Sequence, residues 1–482
     1  MTVRVFRPEG SKHNGVQEVR RGVSCIAYCL DHHSSESRSL DGHRDRQFVE
    51  FDDLANATRM HQYLHLPTRP IRCSHVTGCR YCVFDQQAAA SPFFPEVRPM
   101  QRVLLAPDKF KGTLAAADVA AHVAAGIATV RPNVPIVRVP VADGGDGTLV
   151  AAETAGFTRE LVTATGPTGK PVVSAYARRG NEAVIELAEV SGLAQLPDGR
   201  KAPLTATSRG TGELVKAALD AGCRHIVIGI GGSACTDGGA GLVEALGARV
   251  IGAGGERVGS GGAALAGAVG LDLSGLHPGL ASATVIVACD VNNPLLGPRG
   301  AATVYGPQKG ADPGQVEQLE AGLACWARLV TVETGVDHST TPGAGAAGGV
   351  GFATLALLGA TLQRGIDLML ELTGFHAALE TATLVITGEG SLDIQTLDGK
   401  APAGVAAAAR EAGIPVVVVA GRVELTPAQL RKAGFAAVYS LTGETDDPEE
   451  CFRNPGPLLE RIGARIATRH LPASRTPAFD PA

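Results

Sequence analysis

The chain of 482 residues is 45% hydrophobic and 19% charged, with a formal net charge of −5. Such a length accommodates two or three folding units with sizeable cores. The mildly acidic balance gives no general attraction for nucleic acid or an anionic membrane, and no apolar run approaches the roughly 18 residues a membrane span needs. Aromatic residues make up 4%, which argues against a base-stacking or carbohydrate-binding surface. Of ten cysteines, five precede residue 83 and the rest are scattered without disulfide-like spacing. A reducing, cytoplasmic setting is expected, since the N-terminus also lacks the apolar core and cleavage site of a signal peptide.

Residues 1–99 are rich in His, Arg, Ser and Cys and show little sustained periodicity. They are expected to form a poorly ordered extension, with Met100 the natural start of the compact protein. Cys73, His75, Cys79 and Cys82 raise the alternative of a zinc site, but Cys73 and His75 stand only one residue apart, a poor spacing for a ligand pair. From residue 103 onward, strand and helix signals alternate. Residues 103–106 read as a buried strand, Thr113 as the cap of a helix running to Val130, and 136–141 as a second strand. Residues 161–187 read instead as two or three short strands with turns at Gly166-Pro-Thr-Gly169 and Arg179-Gly-Asn181, the mark of an inserted domain. Helices follow at 212–221 and 240–246, and strands at 225–230 and 284–288. The last third offers a strand at 384–387, a helix at 402–411 and a valine-rich strand at 415–420. Pro402 suits the first turn of that helix and Gly413 its stop. Alternation of this kind predicts a doubly wound parallel sheet.

Three loops mix acids or lysines with glycine where a predicted strand ends: 108–112, 143–148 (Asp143-Gly-Gly-Asp-Gly-Thr148) and 388–400. In an open parallel sheet ligands bind beyond the carboxyl ends of the strands, so these distant loops can share one crevice. A fourth, Gly231-Gly-Ser-Ala-Cys-Thr-Asp-Gly-Gly239, leads into a helix whose N–H groups can take an anion. Glycine lets the backbone approach a phosphate closely. Phosphoryl transfer needs cradled phosphate oxygens, a cation held by carboxylates, and a group to take the hydroxyl proton. Each residue also has a plainer reading: Lys111 as a solvated side chain, Asp143 and Asp146 as turn formers, Asp237 as a helix cap, His122 and His225 as surface or core histidines. Neither a G-x-x-x-x-G-K-[ST] loop nor a protein-kinase signature is present.

Taken together, the segments resemble the bacterial glycerate kinase family. The matching pieces are Ala106-Pro-Asp-Lys-Phe-Lys-Gly-Thr113, Pro140-Val-Ala-Asp-Gly-Gly-Asp-Gly-Thr148, Ala206-Thr-Ser-Arg-Gly-Thr-Gly-Glu213 and Gly229-Ile-Gly-Gly-Ser-Ala-Cys-Thr-Asp-Gly-Gly239. Ala288-Cys-Asp-Val-Asn-Asn-Pro-Leu295, Gly306-Pro-Gln-Lys-Gly-Ala311, Pro342-Gly-Ala-Gly-Ala-Ala-Gly-Gly349, Thr387-Gly-Glu-Gly-Ser-Leu-Asp393 and Gln395-Thr-Leu-Asp-Gly-Lys-Ala-Pro402 follow in order. The resemblance spans about residues 102–468. Departures are Asp146 where the family more often has Glu, Lys109 where Ser is usual, and Cys235-Thr236 where Thr-Asn is common.

The resemblance implies ATP- and Mg²⁺-dependent phosphorylation of D-glycerate, usually at the 2-hydroxyl. It implies a flavodoxin-like domain built from residues 100–160 and 345–470, a second α/β domain inserted over 161–344, and a tail at 471–482. Within it, Asp393 is expected to be the base, Lys111 and Lys400 to hold phosphates, and Asp143 and Glu389 to hold the metal. Gly144, Gly145, Gly231, Gly232, Ser233, Gly388 and Gly390 are expected to line the phosphate site. Arg209, whose planar guanidinium can bind a carboxylate bidentately, is the expected substrate anchor, with Asp108 beside the substrate. Two alternatives stand: a non-catalytic phospho-acid or phosphosugar sensor regulated by residues 1–99, and a kinase for a neighbouring hydroxy acid.

Overall fold

A computed structural model describes residues 101–142, 144–397 and 399–472, together with a backbone ladder pairing Arg4–Val5 with Gln17–Glu18. The chain divides into two units, Met1–Arg98 and Pro99–Ala482. The zinc reading at Cys73–Cys82, the extension over 1–99 apart from that ladder, and the tail beyond 472 fall outside the described residues, as does Asp143.

Continuous apolar runs make the first sheet of the second unit. Strands Val103–Pro107, Ile136–Arg138, Leu384–Leu392, Val416–Val423 and Phe435–Ser440 all pair in parallel. Numbered in the order they occur, they lie 5-4-3-1-2, the flavodoxin-like order. Val103, Leu105, Leu384, Ile386, Val417 and Val419 face one core, while Leu104, Ala106, Val385, Val416 and Val418 face another. Burial on both faces explains why these strands show no polar alternation. One face is covered by helices Ala116–Val130 and Pro455–His470, which cross so closely that a Cβ at Gly126 would stand 2.0 Å from the Glu460 carbonyl oxygen. The other is covered by Gly365–Leu372 and Ala401–Glu411.

The second sheet has six strands. Thr361–Gln363, Thr284–Ala288, His225–Gly229 and Glu182–Glu186 run parallel, and Pro171–Arg179 and Thr158–Thr165 complete it in antiparallel fashion. The short strands expected within 161–187 are therefore these last three. The chain leaves the first sheet after Arg138 and returns at Leu384. Residues 158–160 and 361–363 thus belong to the second sheet, although the sequence reading placed them in the first domain. A three-residue strand such as Thr361–Gln363 carries too little pattern to be read locally.

Three further local corrections arise. Ala115, not Thr113, caps the first helix, because the Thr113 hydroxyl donates to the Phe110 carbonyl within its own turn. Strand Leu384–Leu392 runs five residues past the expected end, turning a predicted loop into sheet. Leu471, expected in the tail, is buried against the first sheet. Pro402 does lie in the first turn of Ala401–Glu411, and Gly413 beyond it takes φ +70°. Among the described residues no helix is long and apolar enough to cross a membrane.

Candidate active site

Both sheets point the carboxyl ends of their parallel strands into one cleft of about 840 Å³. It lies at the topological switch point of the first sheet, where strands Val103–Pro107 and Leu384–Leu392 are neighbours. The Asp108 amide donates to the Gly388 carbonyl at 2.8 Å, tying the two strand ends together.

The wall from the first sheet carries most of the mobile charge. Lys111 is exposed on the turn after the first strand, and a Cβ added at Gly390 would come within 3.3 Å of the Lys111 amide nitrogen. Glycine at 390 therefore lets the two strand ends close up. Glu389, 7% exposed, accepts a hydrogen bond from the Thr396 hydroxyl, and its burial pushes its carboxyl up to about 7 despite that bond. Asp393 is placed differently. Its Oδ1 accepts from the Gln395 and Thr396 amides at 2.8 and 3.3 Å and stands 4.0 Å from Lys400 Nζ. That carboxylate caps the short helix Ile394–Leu397. Lys400 caps the next helix, Ala401–Glu411, so its ammonium shares the cleft with a helix N-terminus suited to phosphate. Asp108 is 8% exposed and lines the cleft, its Oδ1 accepting from the Lys109 amide at 2.6 Å.

The facing wall comes from the second sheet. Gly231, Gly232 and Ser233 line it, together with Gly144, Gly145 and Asp146 from the connection between the sheets. Two of these glycines answer to close packing against neighbouring chain. A Cβ at Gly144 would stand 2.6 Å from Ala288 Cβ, and one at Gly231 would stand 2.6 Å from Gly145 Cα. Lys109 Nζ donates to the Asp146 carbonyl, so the family departure at 109 spans the two walls. Glu186, 3% exposed, accepts from the Gly147 and Leu149 amides at 3.1 and 2.9 Å, holding the start of helix Thr148–Thr154. Burial raises its carboxyl to about 7.

Lys309 is the residue the sequence reading left without a role. It is 2% exposed, sits on the turn Pro307–Lys309, and donates to Ser233 Oγ at 2.9 Å and the Cys235 carbonyl at 2.5 Å. Burial lowers its pKa below the usual lysine value. Its only signal in the sequence was its place in Gly306-Pro-Gln-Lys-Gly-Ala311, a turn pattern that reveals nothing of burial.

Two expected site residues fall elsewhere. Arg209 does not line the cleft: it opens helix Arg209–Asp220, and its Nε is held 3.1 Å from Glu213 Oε1 one turn on. Gly388 is buried within its strand, where a Cβ would meet the Val419 carbonyl oxygen at 2.1 Å, so it packs the sheet rather than facing the cleft. Asp237 is not the N-cap of helix Ala240–Ala245, which is Gly239; its buried carboxylate accepts from the Ser208, Gly239 and Gly241 amides and from the Thr207 and Ser208 hydroxyls. His122 pairs with Glu460 at 2.8 Å between two helices, away from the cleft.

Comparison with known proteins shows the family. Residues 103–471 match the model of the glycerate kinase family. A glycerate kinase of Bacillus subtilis (strain 168) is 42% identical over 371 residues, 76% of this chain and 97% of that protein. A glycerate 2-kinase of Escherichia coli (strain K12) is 41% identical over 370 residues, with the same shares covered. A crystal structure from Salmonella typhimurium LT2, assigned as glycerate kinase 2, superposes with a TM-score of 0.69 at 41% identity, covering 76% of this chain and 97% of that one. The chain belongs to the glycerate kinase family.

Proposed function

We propose that this protein transfers the γ-phosphoryl group of ATP to the 2-hydroxyl of D-glycerate, giving 2-phosphoglycerate. The relatives' activities support the reading, and the observation that carries it is the two-walled cleft. Lysines 111 and 400 and a helix N-terminus line one side, a glycine-rich wall closes the other, and a buried carboxyl near neutral pKa stands between the strand ends.

Lys111 and Lys400 are assigned to the phosphates, which they neutralise as point charges. For the base we favour Glu389 over Asp393. A general base works best with a pKa near the operating pH, and Glu389 is held at about 7 by desolvation. Asp393 spends one oxygen on the cap of Ile394–Leu397 and lies beside Lys400, so it suits positioning of that lysine. In this scheme Glu389 accepts the hydroxyl proton as the oxygen–phosphorus bond forms, and ADP leaves on the opposite side.

Among the described residues no group of three acidic, His or Cys side chains could hold a metal ion. Mg²⁺ needs no such cluster, since it usually takes one or two carboxylates and completes its shell with phosphate oxygens and water. We assign Asp143 to it. When bound, the ion would neutralise charge on the nucleotide phosphates. Glu389 cannot be base and metal ligand together, because a bound cation would hold its carboxylate ionised. The experiment is turnover by the purified protein with ATP, Mg²⁺ and D-glycerate. Loss of ATP without a phosphorylated glycerate would defeat the reading.

A further inference from the structure

Lys309 is an ammonium withdrawn from water without a carboxylate within ion-pair distance among the described residues. Its two acceptors are neutral, the Ser233 hydroxyl and the Cys235 carbonyl. Asp237 acts on it only through space, since the Asp237 oxygens are taken by Thr207, Ser208, Gly239 and Gly241. A buried charge costs several kcal/mol by order of magnitude unless paired, so a bare structural role would be better filled by an uncharged side chain. An ammonium has three donors, and two are spent on partners among the described residues. Lys309 also lines the cleft, on the wall opposite Lys111 and Lys400.

We propose that Lys309, aimed by Ser233 and the Cys235 carbonyl, is the binding site for the carboxylate of the hydroxy-acid substrate. This rests on the kinase reading above and adds to it the orientation of the substrate. The phosphates occupy the wall of the first sheet, and the acceptor is held by its carboxylate against the second. An anion is the one ligand that repays the burial of this charge. The nucleotide already has an exposed lysine, a partly exposed one and a helix N-terminus on the other wall. Arg209, tied to Glu213 outside the cleft, leaves the carboxylate without its expected guanidinium partner. Lys309 takes that place. The acceptor's carboxylate would complete a pair that the protein leaves half made, so a neutral analogue of glycerate should bind poorly.

Two measurements on the full chain test this. In the first, Lys309→Met is compared with the unsubstituted protein using ATP, D-glycerate and D-glyceramide, which differs from glycerate in carrying no charge. Truncating one partner of a buried charge pair typically costs enough for a loss of about 30-fold or more. The KM for D-glycerate should therefore rise by about that factor, with the KM for ATP within about two-fold, and the preference for glycerate over glyceramide should vanish. A purely structural lysine would shift both KM values together and keep the preference; that result, or a fall in kcat at constant KM for glycerate, would overturn the proposal. Turnover of glycerate by the unsubstituted protein reads the kinase assignment separately. The second measurement requires no variant: in a structure of the unsubstituted protein with D-glycerate bound, a carboxylate oxygen should lie about 3 Å from Lys309 Nζ. A hydroxyl or a phosphate in that place would overturn the assignment.

Discussion

On the wall built by the first sheet, Lys111 is exposed and Lys400, beside Asp393, is partly so. On the wall built by the second, Lys309 is 2% exposed and pinned by two hydrogen bonds. The acids divide in a similar way. Asp393 spends an oxygen on a local cap, whereas Glu389, four residues earlier, is buried within the strand and held near neutrality. Desolvation separates the members of each pair. Exposed groups can neutralise a polyphosphate that brings its own charge, but a group that must exchange a proton or select one anion gains from losing its water. Buried groups should therefore be the ones whose removal is felt most in chemistry.

The largest expected effect is at Glu389. Glu389→Gln should lower kcat by about 10²–10⁴-fold with the magnesium requirement unchanged, read from rates across a magnesium titration. Activity restored by excess magnesium would make Glu389 a metal ligand and return the base to Asp393. Next comes the junction between the walls. Gly144 has φ +81° and a Cβ there would stand 2.6 Å from Ala288 Cβ, so Gly144→Ala should cost about 1–3 kcal/mol in urea unfolding. Gly112 shares the left-handed backbone, φ +82°, with nothing within 4 Å. Gly112→Ala should cost only the conformational penalty, about 1 kcal/mol. Equal losses at the two sites would show that the close approach of the walls contributes nothing.

A smaller effect concerns Glu186. Burial raises its folded pKa to about 7, so between the unfolded value near about 4.3 and that point the folded protein binds the proton more tightly than the unfolded chain. The stability this confers is complete at lower pH and is lost as pH rises through about 7. Glu186→Gln should flatten that decline, on the order of 2 kcal/mol, in thermal unfolding followed from about pH 5 to pH 8. An unchanged pH profile would place the titration elsewhere. The smallest effect is expected at Arg209, where Arg209→Lys should leave the KM values for glycerate and ATP within about two-fold, because its partner Glu213 lies on its own helix. A selective rise in the glycerate KM would restore it as the anchor and count against Lys309.

Much of the fold was legible because buried parallel strands announce themselves as short apolar runs. Thr284–Ala288 has the bounds its sequence suggests, and the valines of 416–419 sit in an interior strand of the first sheet. Glycine was harder to read. At Gly388 and Gly390 it looked like a loop, yet it continues a strand that other backbone approaches closely. At Gly144 and Gly231 the sequence showed glycines able to cradle phosphate; both line the cleft, and both also admit a close approach of neighbouring chain that no local pattern reveals. The charged residues at strand ends were found because topology dictates where ligands bind. Lys309 and Glu186 were missed because burial of a charge is a property of the assembled molecule. A lysine between Pro307 and Gly310, or a glutamate ending a strand, looks the same on the surface as in the interior.

In the mechanism proposed above, the two walls bring ATP and glycerate together for transfer to the 2-hydroxyl. It is tested most directly by incubating the purified protein with ATP, Mg²⁺ and D-glycerate and identifying the product by ³¹P and ¹H NMR. The expected products are stoichiometric ADP and 2-phosphoglycerate, with the phosphorus coupled to the single proton on C2. Phosphorus coupled to the C3 methylene protons, or ATP hydrolysis with glycerate unchanged, would contradict it.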